Sequence, residues 1–194
     1  MRQLIVMGVY TDTLLTIKSQ DADFMERLFV AVSPKPKPTA IQSIANMVFQ
    51  REPDRSLGLM EYLLPMPDQL EKTVTNGYSG NSPEWREWRI DNWGAPSDVA
   101  LDYFERMSDF EIATRFTSYN GILTTGLANA SKAHGFAFSM LYHCDHGGVG
   151  RHTESEQIDF DFPGEVAPAE AGIPKELIEA FDLKKLYVAY VEEQ

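Results

Sequence analysis

Residues 136–144 read Phe136-Ala137-Phe138-Ser139-Met140-Leu141-Tyr142-His143-Cys144, and side-chain parity decides what they form. Phe136, Phe138, Met140, Tyr142 and Cys144 share one face, while Ala137, Ser139, Leu141 and His143 take the other. A period of two with one apolar set is the signature of a strand buried on one side. Just upstream, Ile122 to His134 carries Leu123, Leu127 and Ala130 at helical spacing, and Gly135 stands where a left-handed C-terminal cap is wanted. Before that helix, Phe110, Ile112 and Phe116 alternate with Asp109, Glu111, Ala113, Arg115 and Thr117, which predicts a strand over Asp109 to Thr117. From Arg86 to Trp93 the apolar Trp88 and Ile90 alternate with Glu87, Arg89 and Asp91, and the same parity predicts another strand.

Further toward the N-terminus, the short apolar run in Met1 to Val9 lacks a small-x-small cleavage site and is expected to be a strand rather than a signal peptide. Thr13 to Lys18 is β-prone. Ser19, Asp21 and Asp23 then offer caps to a helix from Asp21 to about Val32, with Phe24, Leu28 and Val32 on one stripe. Alternate prolines from Ser33 to Pro38 make a semi-rigid connector, Ile41 to Val48 returns to helical spacing, and Leu57 to Leu64 is an apolar run closed by Pro65-Met66-Pro67. Downstream of Cys144, the glycines 147, 148 and 150 predict a turn, followed by a polar run to Asp161 and a Pro/Ala/Gly/Glu linker from Pro163 to Gly172. A short helix beginning at Pro174 and a final strand from Leu186 to Val191 complete the reading. Taken in order, the elements match a ferredoxin-like split βαββαβ arrangement: an α+β fold with an antiparallel sheet under two helices. The expected organisation is a domain over residues 1–150 with a long insertion at about 33–84. An acidic extension over 151–194, a strand and a helix, packs on the same domain.

The chain has 194 residues, 43% hydrophobic and 24% charged, with a net charge of −12. That length suits one domain able to bury a core, and the apolar fraction excludes general disorder. One cysteine, Cys144, rules out an internal disulfide and a multi-thiolate metal site. The acidic balance disfavours broad binding to nucleic-acid phosphates, and no apolar run approaches the roughly 20 residues needed to cross a bilayer. The expectation is a cytoplasmic protein with no membrane contact and no direct contact with nucleic acid.

Two words in this sequence occur as a pair: Pro65-Met66-Pro67, and Trp85 to Gly94 ending in Asn92-Trp93-Gly94. Together they resemble the hallmark of the YubB family, ferredoxin-like proteins of phages, plasmids and other mobile elements. There a Pro-Met-Pro turn precedes a strand reading W-x-x-x-N-W-G-T-K-W, and a later strand ends in T-A-W-S-P-P. The resemblance spans roughly residues 12 to 150. Ala95-Pro96-Ser97 replaces the T-K-W tail, and Ser118-Tyr119-Asn120-Gly121 replaces A-W-S-P. The resemblance implies a fold and a mobile-element setting, and it carries no biochemical activity with it.

His143, Cys144, His146 and His152 form the densest chemistry, and a metal site would use their imidazole and thiolate ligands. Strand parity opposes a shared ion, because His143 and Cys144 point to opposite faces, and the same opposition weakens a Cys–His nucleophilic pair. The expectation is therefore no catalytic residue, no metal and no cofactor. A small hydrolase or metal-dependent enzyme built on these four residues is the alternative. Gly147-Gly148-Val149-Gly150-Arg151 lacks the Gly-Lys-Ser/Thr word and the helix start of a phosphate loop. Trp85, Trp88, Trp93 and Tyr119 could be an RNA-stacking platform, but parity puts the even-numbered aromatics under the helices. The partner-binding residues expected are Glu87, Arg89, Asp91 and Trp93 on the strand from Arg86, with Glu154, Glu156, Asp159 and Asp161 in the acidic extension. The expected role is a non-enzymatic accessory protein that binds a host protein. One such partner is a nucleic-acid-binding defence complex of the CRISPR type, inhibited by an acidic surface. A structural homo-oligomer, such as a homodimer paired through an open edge strand, and an RNA-binding ferredoxin-like module are the remaining readings.

Overall fold

The computed structural model of the protein describes residues 9–34, 56–75, 83–145, 147–164 and 166–192. Nearly all of the expected N-terminal strand, most of the proline connector and the Ile41 to Val48 helix lie outside these residues. The described chain runs β1 (Tyr10–Lys18), α1 (Ala22–Val32), α2 (Leu59–Leu63), α3 (Asp68–Glu71), α4 (Glu84–Trp93), β2 (Ala100–Ser108) and β3 (Glu111–Tyr119). It continues with α5 (Thr124–His134), β4 (Ala137–Cys144), β5 (Gly148–Thr153), β6 (Gln157–Phe160), α6 (Lys175–Ala180) and α7 (Leu183–Glu192). The strands form one open antiparallel sheet in the order β2-β3-β1-β4-β5-β6, so this is a mixed α+β fold. Two strands lie beyond β4, which makes the sheet longer than the four strands of a split βαββαβ unit alone.

Parity in β1, β3 and β4 places Leu15, Ile17, Ile112, Phe116, Phe138, Met140 and Tyr142 on one face, where all are buried. Leu15 stands beside Thr114 on one side and Met140 on the other, so the three strands align their apolar sets. Over that face lie Phe24, Met25, Leu28 and Val32 of α1, Leu59, Met60 and Leu63 of α2, Trp93 of α4, and Leu127 and Ala130 of α5. Helix α1 starts where its cap predicts: the Asp21 carboxylate accepts from the Phe24 backbone N–H at 2.9 Å. Among the described residues, the opposite face is covered over β4, β5 and β6. There Val149, Phe162, Ile173, Leu177, Ile178, Phe181 and Leu183 form a second, smaller core against Leu141 and Phe160.

Three segments differ from the sequence-based expectation. Residues Arg86 to Trp93 are not a strand; they belong to helix α4. Trp85, Arg89 and Trp93 fall at i, i+4 and i+8, and this stripe prevails over a short run of alternating charge. The boundaries agree with a helix: Pro83 is the N-cap, Glu84 and Glu87 sit in the first turn, and Gly94 takes a left-handed φ of 86°. A side chain there would also collide, since a Cβ on Gly94 would lie 2.4 Å from the Ile122 carbonyl oxygen. The second strand is instead Ala100–Ser108, whose parity is broken by register shifts between Leu101 and Tyr103 and between Arg106 and Ser108. Leu186 to Val191 is likewise not a strand but part of α7, despite its valines and tyrosines. Leu183 is buried and Tyr187, one turn on, is partly so, and this i, i+4 anchor selects the helix. Finally, the expected turn and polar run after Cys144 contain the β5–β6 hairpin, pairing Val149 with Phe160 through His152 with Gln157. Gly150 permits it, because a Cβ there would meet the Ile158 carbonyl oxygen at 2.6 Å and Tyr142 Oη at 2.6 Å.

Candidate functional site

A cleft of about 550 Å³ lies between α2, α3 and α4 and is lined by Leu57, Glu61, Pro65, Met66, Glu71, Val74, Arg89, Trp93 and Asp98. Its wall is set by a long-range cap. The carboxylate of Asp98 accepts from the backbone N–H groups of Met60 (3.1 Å), Glu61 (2.7 Å) and Val99 (2.8 Å), two of them in the first turn of α2. Glu61 Oε2 accepts from the Gly58 N–H at 3.0 Å and completes that turn. Burial pushes the Asp98 carboxyl above the ordinary range, and the three N–H donors partly oppose this. Gly58 must stay small, because a Cβ there would lie 2.2 Å from an Asp98 oxygen.

The floor comes from α4. Trp93 is 2% exposed, and its indole N–H donates to the Leu64 carbonyl at 2.8 Å. That hydrogen bond joins the Asn92-Trp93-Gly94 word to the residue preceding Pro65-Met66-Pro67, so the two words meet in space. Arg89 packs against both Trp85 and Trp93, its guanidinium carbon 5.1 and 4.8 Å from the two ring centroids. Burial lowers the Arg89 pKa, against the opposing fields of Asp98, Glu61 and Glu71, and the group stays charged at neutral pH. Of the four residues expected together near Arg86, Arg89 and Trp93 therefore face the cleft, whereas Glu87 and Asp91 are exposed.

The histidines do not converge. His143 lies beside Phe162 and Phe181 on the face of the second core, with its pKa lowered by burial against the fields of Asp12 and Asp145. His152 pairs across from Met140 and lies against Phe138, on the other face. Both of its ring nitrogens are enclosed without a partner, and burial lowers its pKa too. Cys144 opens with Tyr142, Gln157, Asp159 and Asp161 into a separate groove of about 380 Å³, and His146 lies outside the described residues. Among the described residues, no group of three His, Cys, Asp or Glu side chains is placed to hold a metal ion.

The acids of the extension divide into two sets. Glu154 accepts from the Phe138 N–H at 3.0 Å, and Glu156 pairs with Arg151, which also reaches Glu176 at 2.8 Å. These acids staple β5 to β4, β6 and α6. Asp159 and Asp161 line the groove, where burial raises the Asp159 pKa. After Gly150 the sequence holds 11 acids and 4 bases, so 11 − 4 gives −7 of the total −12. Arg115 on β3 is spent on Asp12 through two hydrogen bonds. On α7, Leu186, Val188, Tyr190 and Val191 are exposed.

Sequence reasoning found Arg89 and Trp93 but missed Asp98, Glu61 and Glu71. The readable signal for the cleft was the i, i+4, i+8 stripe of Trp85, Arg89 and Trp93. Asp98 reaches α2 from nearly 40 residues away, and nothing local announces it. No protein-family model, curated protein or solved structure matches the chain. Among the described residues, no helix is long and apolar enough to cross a membrane.

Proposed function

We propose that this chain is a non-enzymatic accessory protein of a mobile element that binds a basic surface of a host protein, with inhibition of a nucleic-acid-binding defence complex as the role. The observation that carries the reading is the folded, acidic C-terminal layer. Of the 11 acids and 4 bases after Gly150, 9 acids and all 4 bases lie in the described residues, on β5, β6, α6 and α7 and their connections. A fixed negative surface can occupy a groove made for phosphates, gaining association rate and specificity from complementary charge. The exposed apolar residues of α7 supply an uncharged contact beside it. The mobile-element setting rests on the paired Pro65-Met66-Pro67 and Asn92-Trp93-Gly94 words. The ferredoxin-like reading belongs to the same proposal, and the order β2-β3-β1-β4, with β1 antiparallel to both neighbours, supports it.

The test is affinity capture from host cells carrying such an element, at about 50 and 300 mM salt. A host protein retained at low salt, released at high salt and lost when Asp159, Asp161, Glu170 and Glu179 are changed together to lysine is the expected result. Capture that ignores both salt and these four substitutions overturns the electrostatic mechanism, and capture no better than an unrelated acidic protein overturns the function.

A further inference from the structure

The cleft beneath α4 contains an arrangement that a protein-binding surface on the C-terminal layer does not use. The Trp85 and Trp93 rings lie 5.1 and 4.8 Å from the Arg89 guanidinium carbon, contacts that leave its N–H groups for hydrogen bonding. Arg89 makes no hydrogen bond to a described residue, and its Nε is enclosed without a partner. A guanidinium with unpaired N–H groups matches a carboxylate, which accepts two parallel N–H bonds. Glu71 is near enough for its field to act on Arg89, yet the two form no ion pair within 4.0 Å. A positive and a negative group thus line the same cleft without pairing with each other.

The lining discriminates among ligands by charge. A simple anion on Arg89 would meet the fields of Glu61, Glu71 and Asp98, and a simple cation at Glu71 would meet Arg89. Cation–π capture of an ammonium is excluded on the indole faces that Arg89 occupies. Asp98 is already taken by three backbone N–H groups and serves as wall. A ligand carrying both charges satisfies Arg89 and Glu71 at once, and Leu57, Pro65, Met66 and Val74 offer it an apolar surface. The volume lies within the roughly 300–1,000 Å³ of small-ligand sites.

We propose that this cleft binds a small zwitterion of the apolar amino-acid and dipeptide class, its carboxylate on the N–H groups of Arg89 and its ammonium on Glu71. The site is independent of the acidic layer, so either proposal can fail without the other.

The experiment titrates the full chain with leucine and with Leu-Leu, read by calorimetry and by fluorescence of the adjacent tryptophans. N-acetyl-leucine, which keeps only the anion, and leucinamide, which keeps only the cation, serve as the blocked pair. The expected result is saturable binding of a zwitterion at least about tenfold tighter than of either blocked compound. Arg89→Gln should abolish it, and Glu71→Gln should weaken it by about tenfold. Arg89→Gln could disturb the tryptophan stack, so the blocked ligands and the Glu71→Gln variant, on the exposed α3, carry the test without it. Absence of saturable binding, equal affinity for N-acetyl-leucine, or unchanged affinity in Glu71→Gln would each overturn the proposal.

Discussion

The sheet is covered on its two faces to very different depths. On one side, residues from β1 to β4 pack under α1, α2, α4 and α5, around a nine-pair register between β1 and β3. On the other, among the described residues, seven buried residues from β5, α6, α7 and their connections pack against β4 and β6, and β5 holds β6 through four pairs. Cooperative opening follows buried apolar contact and protected hydrogen bonds, so the smaller layer should open first and the larger core last. The protein thus pairs a stable platform with a thinner, strongly acidic cover.

Truncation on the two sides should separate them. Phe116→Ala, at the centre of the large core, is expected to cost about 3–5 kcal/mol and to lower the midpoint of global denaturation. Leu177→Ala, in the small core, should cost about 2–5 kcal/mol locally while leaving amide exchange slow in β1 and β3. Equal loss of protection throughout the sheet in Leu177→Ala would show one cooperative unit. Asp98→Ala strips a partner from three backbone N–H groups on the large-core side and should destabilise by about 1–3 kcal/mol, seen as a lower thermal midpoint with β5 and β6 unaffected.

The smallest effect should come from acid. Burial depresses the pKa values of His143 and His152, which face the small and large cores respectively. Because the folded state holds these groups neutral, their contribution to stability is complete above the ordinary pKa of 6.5. It is lost as pH falls below 6.5 toward the depressed folded values. The thermal midpoint should therefore drop between neutral pH and about pH 5, and His152→Phe should flatten part of that slope.

The strands β3 and β4, the helices α1 and α5 and the helix at Pro174 were legible, while α4, β2, the β5–β6 hairpin and α7 were not, for a physical reason. Ile112, Phe116, Phe138 and Tyr142 sit on strands buried on one face, and that condition writes itself into the sequence as parity. In β5 the one buried side chain is Val149, flanked by Gly148 and Gly150, so one apolar side chain between glycines looked like a turn. In α4 the charge alternation of Glu87, Arg89 and Asp91 imitated a strand because Arg89 is inward-facing, stacked on indoles rather than solvated. The cleft escaped notice for the complementary reason. Its decisive carboxylate, Asp98, acts on a helix distant in sequence, and only the folded chain brings Glu61, Glu71 and Arg89 around it.

Strand β1 is synthesised before every other described strand and helix, yet it is central, with Leu15 opposite Thr114 on one side and Met140 on the other. Each partner lies on the order of a hundred residues downstream, so closing the sheet requires long loops to form before their contacts can repay the lost entropy. On a ribosome, β1 must stay unpaired until β3 and β4 have emerged. During that interval its Leu15 and Ile17 are open to chaperones or to other nascent chains, so the order of synthesis itself leaves apolar surface waiting for partners.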